Sequence, residues 1–114
     1  MFVLNENNEY EAEIGGVKFV YETPDEGYEE TASEIAEIYE SKLNSIAEFM
    51  IDEGICDCFG ELSPEKIISS LGKPVIDLER SLITYLEHTL DDIHIIELEY
   101  DGLLDEFLYL SIDG

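Results

Sequence analysis

The sequence predicts an α+β fold: an antiparallel sheet formed by an N-terminal hairpin and a C-terminal four-strand meander, with one long and one short helix packed on one face. Three observations lead there. Apolar residues recur with a period of two up to Tyr21 and again from Pro74, and with a period of about 3.6 in between. The helices therefore form one block between two strand blocks, an order that segregates helices to one side of a sheet. With 114 residues the chain has the length of a single domain, 1–114, and its 45% hydrophobic content separates it from disordered acidic tails, which lack the apolar side chains to offset chain entropy.

Taken in order, "FVL" at 2–4 is a short apolar run followed by the turn-forming "NENNE". In "YEAEI" Tyr10, Ala12 and Ile14 alternate with Glu11 and Glu13, which reads as a strand. Gly15 and Gly16 supply a tight turn, and "VKFVYE" returns with Val17, Phe19 and Tyr21 on one face. "TPDEG" interrupts the pattern. A long helix is then expected to begin between Asp25 and Thr31, with "TASE" as a capping box and Gly54 at its end. Its apolar side carries Ala32, Ile35, Ala36, Tyr39, Leu43, Ile46, Ala47 and Met50, and its other side Glu26, Glu30, Glu34, Glu37, Glu40, Glu48 and Asp52. The short helix is announced by "LSPEKIISSLG", with Ser63 as N-cap, Pro64 in the first turn and Gly72 beyond the end. Four strands follow in "PVIDLE", "SLITYLEHT", "IHIIELEY" and "FLYLSID"; "DGLLDE" makes the last turn and is expected to expose Leu103 and Leu104. The N-terminal hairpin is expected to join the meander, because two strands alone are marginal in water.

Charge narrows the class of function. Against 29 acidic residues stand Lys18, Lys42, Lys66, Lys73 and Arg80, a formal net charge of −24. Nucleic acid and anionic membranes are bound through Lys and Arg, so neither is expected as a direct partner. A basic protein is. The absence of a basic N-terminal segment before an apolar run, and of any apolar stretch near a membrane-spanning length, reads as a cytoplasmic chain.

No residue pattern calls for catalysis, a metal or a cofactor. Cys56 and Cys58 flank a single aspartate, which is neither redox nor zinc spacing. His88 and His94 bracket Asp91 and Asp92 and would suit a transition metal if they met, but two ligands do not make a site, and the favoured reading is that both are partly exposed polar residues flanking a turn. There is no Gly-x-Ser-x-Gly elbow and no phosphate loop, and neither "IDEGICDCFGEL" nor "YDGLLDEFLYL" has EF-hand spacing.

The acidic helix face is the candidate site. Glu26, Glu30, Glu34 and Glu37 are spaced by four, four and three, which brings like charges together at a cost to the helix. A solvated face is the plain explanation; a surface for a basic partner is the functional one. The binding set is Glu26, Glu30, Glu34, Glu37 and Glu40, with Leu103, Leu104 and Tyr109 adding apolar specificity. A structural or accessory domain, charged only for solubility, and a metal-dependent enzyme are the alternatives.

Three stretches carry a family likeness: "EIGGVKFVYE", "ELSPEKIISSLGKPVI" and "IIELEYDGLLDEFLYLSIDG". Through them the chain resembles catalogued small acidic bacterial domains of unknown function. In size, charge and element order it is also similar to the immunity proteins with which bacteria occupy the surfaces of toxins. The first likeness implies an α+β domain of unestablished activity, with no family active-site residues to carry over, and the second an inhibitor of a basic protein such as a nuclease toxin.

Overall fold

The structure is a computed structural model and describes residues 2–113. It is α+β. Among the described residues seven strands form one sheet in which every strand neighbours the next in sequence: β1 (Val3–Leu4), β2 (Tyr10–Ile14), β3 (Val17–Tyr21), β4 (Pro74–Asp77), β5 (Leu82–Tyr85), β6 (Ile95–Asp101) and β7 (Glu106–Asp113). Between β3 and β4 lie α1 (Tyr28–Ile38), a 3-10 turn (Glu40–Lys42), α2 (Leu43–Asp52), α3 (Ile55–Phe59) and α4 (Pro64–Ser70).

The hairpin does join the meander, but through a parallel pair. Lys18, Phe19 and Val20 align with Val75, Ile76 and Asp77, while every other neighbouring pair is antiparallel. Parallel neighbours need a long crossover, and the helical block supplies it. The sheet is thus mostly, not wholly, antiparallel. The "FVL" run also contributes β1, which pairs Val3 and Leu4 with Glu11 and Tyr10.

The single long helix is corrected. After Tyr39, whose backbone is still helical, the chain tightens into the 3-10 turn Glu40–Lys42, where the Ser41 hydroxyl donates to the Ile38 carbonyl at 2.6 Å, a back-bond that bends helices. A straight helix from 28 to 52 would run about 37 Å, whereas each strand beneath it rotates by about 20–25° relative to the last. The break lets α1 lie along β2 while α2 reaches α4 and β7. "TASE" is no capping box: Thr31 already lies inside α1, and Gly27 is the N-cap, without a side-chain bond. Local signals elsewhere are realised. Gly15 and Gly16 take φ +57° and +81°, the mirror-image turn that matches strand twist, and the Ser63 hydroxyl accepts from the Lys66 amide at 3.1 Å with Pro64 opening α4.

One face of the sheet meets the helices. Phe19, Ile76, Ile83 and Leu98 sit in register across it, all fully buried, against Ile35, Ile46, Met50, Ile55 and Ile67 from the helical layer. Each such side chain contributes about 1.5–3 kcal/mol by leaving water. Within this core the Tyr39 and Tyr85 hydroxyls share a hydrogen bond of 2.6 Å. The opposite face carries Lys18, Val75, Thr84 and Glu97 in one register row and is uncovered by helices. Among the described residues no helix is long and apolar enough to cross a membrane.

Candidate functional site

The period of α1 decides which of its residues meet solvent. Ala32 and Ile35 are fully buried and Tyr39 nearly so, which turns Glu30, Glu34 and Glu37 outward. These three carboxylates, with Ser33, border a shallow groove of about 430 Å³ whose apolar lining is Ile14, Gly15 and Ala36. The groove exists because the β2–β3 turn crosses close to the helix: a Cβ on Gly15 would stand 3.9 Å from that of Ala36. The ion pairs formed by Lys18 with Glu11, Lys73 with Glu13 and Arg80 with Asp77 lie elsewhere, so Glu30, Glu34 and Glu37 have no cationic partner among the described residues.

The other expected site residues scatter. Glu26 borders a separate hollow with Tyr21, Pro24 and Glu29, and Glu40 borders a third beside Leu43, Ile68 and Lys73. The two leucines of the last turn are not an exposed pair. Leu103 is half-buried, and Leu104, at φ +59°, has only 1% of its surface exposed, because the αL backbone folds its side chain into the core. Tyr109 is exposed, but it aligns with Glu99 and so faces away from the helices. Its strand is five positions from β2 in the sheet, about 24 Å at the usual strand spacing. The helix carboxylates and the residues around the last turn are therefore separate surfaces.

The two histidines do meet, through backbone. His88 is buried; its Nδ1 accepts from the Leu90 amide at 3.1 Å, so Nε2 carries the proton and donates to the His94 carbonyl at 2.6 Å. The expectation of a partly exposed His88 is corrected accordingly. His94 Nδ1 bonds to Asp91 Oδ2, and Asp91 Oδ1 accepts from the Ile93 and His94 amides. Those amides, the His94 N–H first, hold the Asp91 carboxyl down at about 2. Phe59 presents its ring to both imidazoles at 6.0 and 5.6 Å. This is a stitched loop, in which a metal would have to break a bond to reach either His88 nitrogen. Among the described residues no group of three His, Cys, Asp or Glu is placed to hold a metal.

The outward carboxylates are legible in the helical period of the sequence, and the groove between them is not. The Gly-Gly turn signals the hairpin, but nothing local shows that α1 lies against it. No protein family, curated protein or solved structure matches the chain.

Proposed function

We propose that the protein is a non-catalytic, cytoplasmic interaction domain that binds a basic protein through α1, in the manner of an immunity protein or other inhibitor. The observation that supports this reading is the apolar groove bordered by three cation-free carboxylates. Such a border attracts a lysine or arginine while the groove accepts its aliphatic stem, since these side chains bury their methylenes and keep the charge in water. The net charge of −24 steers a basic partner toward the surface and speeds encounter.

The test is a variant with Glu30→Gln, Glu34→Gln and Glu37→Gln, which keeps helix propensity and removes three charges. Protein retained on the wild-type chain should be basic, and its association rate should fall by about tenfold in the variant, with a much smaller change in dissociation. Stopped-flow binding at two ionic strengths measures both. An association rate that the three substitutions leave unchanged would mean that the face is only solvated and that the charge serves solubility.

A further inference from the structure

The strand β7 ends the sheet, and its outer side carries no strand among the described residues. At eight residues it is the longest strand, whereas the opposite edge, β1, has two. Natural edges are blunted by charged residues, lysine above all, by proline, by short length, by a covering element or by a bulge. This one has a bulge at Leu108, but from Phe107 to Ile112 it holds no proline and no charge.

Its two faces differ in a way that defines what would pair with it. Toward the helices, Leu110 and Ile112 align with Leu98 and Ile96. The β6 residues are fully buried while Leu110 and Ile112 are only half covered, so the core row stops one strand short of closure. On the open side Tyr109 and Ser111 align with Glu99 and Glu97, and neither glutamate has an ion-pair partner among the described residues. Leu108 is the extra residue of a bulge, which leaves Tyr109–Asp113 in regular register.

We infer that β7 is a docking edge for an extended segment of a basic protein, a strand in which apolar residues alternate with lysine or arginine. Backbone pairing along β7 would bring the apolar side chains beside Leu110 and Ile112. The basic ones would lie over the Tyr109 ring and point toward Glu99 and Glu97, whose backbone is about 10 Å away across two strand spacings, a gap that an extended arginine and a glutamate side chain close together. A second copy of this chain is a poor occupant. Its own β7 offers no cation, and it adds another −24. The inference shares with the proposed function only the basic character of the partner and uses a different surface.

The probe is a short peptide alternating lysine with valine, its control the same peptide with glutamate for lysine. Amide hydrogen exchange followed by NMR should show slowing within residues 107–113 on adding the lysine peptide and none with the control. Tyr109→Lys and Ser111→Lys, both on the open side, should each weaken binding by about tenfold, because lysine meets lysine there. Unchanged amide dispersion would show these variants folded. Slowing confined to the α1 groove would overturn the docking edge and leave the proposed function standing. Equal binding of the glutamate peptide, or a β7-to-β7 dimer in sedimentation without peptide, would also overturn it. Slowing at β7, together with a partner whose association ignores Glu30, Glu34 and Glu37, would support the edge and sink the helix-face reading.

Discussion

At the scale of single residues, the paired hydroxyls of Tyr39 and Tyr85 are a polar contact inside the apolar core. Tyr85 is fully buried and Tyr39 nearly so, and each hydroxyl has the other as its partner at 2.6 Å. Replacing one by phenylalanine strands the other in an apolar site, at a cost of about 1–3 kcal/mol, whereas replacing both removes the need. Urea melts of the two single variants and the double should therefore show a double-variant loss well below the sum of the singles. Burial also pushes the Tyr39 hydroxyl up to about 12, that of Tyr100 to about 12, and that of Tyr85 well above the ordinary tyrosine value. The sign follows from linkage: the unfolded chain releases these protons near pH 10 and the folded chain does not, so their stabilisation is complete below pH 10 and is lost as pH rises toward 12 and beyond. Melts across that window should show a falling midpoint, and the fall should be shallower in the double phenylalanine variant.

At the scale of elements, the joint between α4 and β4 is held by Gly72. Its φ is +72°, and a Cβ there would meet the Glu87 carbonyl oxygen at 2.7 Å, in the connection whose Thr89 amide bonds to the Ser70 carbonyl. Alanine therefore suffers twice, from its backbone and from a neighbour that is itself backbone. Gly72→Ala should destabilise by about 2 kcal/mol or more. Gly15→Ala, at φ +57° with only the Ala36 Cβ nearby at 3.9 Å, should cost about 1 kcal/mol. Chemical denaturation of the pair checks the difference, and equal losses would mean that the β5–β6 connection moves aside freely.

At the scale of the whole molecule, a charge of −24 is confined to a body of 41 × 28 × 21 Å. Ion pairs engage Lys18, Lys73 and Arg80, so most carboxylates repel one another without local compensation. Screening acts beyond about 8 Å at physiological ionic strength. The midpoint of thermal unfolding should rise by about 5 °C between low and moderately high sodium chloride, equivalent to about 1 kcal/mol. A flat response would show the charges to be well separated already. The same charge attracts basic molecules and repels a second copy of the chain.

The features legible in the linear chain are those fixed by neighbours in sequence. The change of period sets the order of strands and helices, Gly15-Gly16 sets the first turn, Ser63-Pro64 and Gly72 bound α4, and the outward turn of Glu30, Glu34 and Glu37 follows from the burial of Ala32 and Ile35. Each rests on a backbone preference or a periodicity spanning a few residues. Contacts between distant segments decided the rest. The helix breaks at Glu40–Lys42, where α1 lies along β2 and α2 turns to α4 and β7, the crossover made β3 and β4 parallel, and the αL turn carried Leu104 inward. The sheet order placed Tyr109 far from α1, and the approach of the hairpin to Ala36 turned a row of charges into a groove. None of these is written in a local pattern, because each depends on which surfaces must bury one another, and that is settled only when the sheet and its helical layer pack.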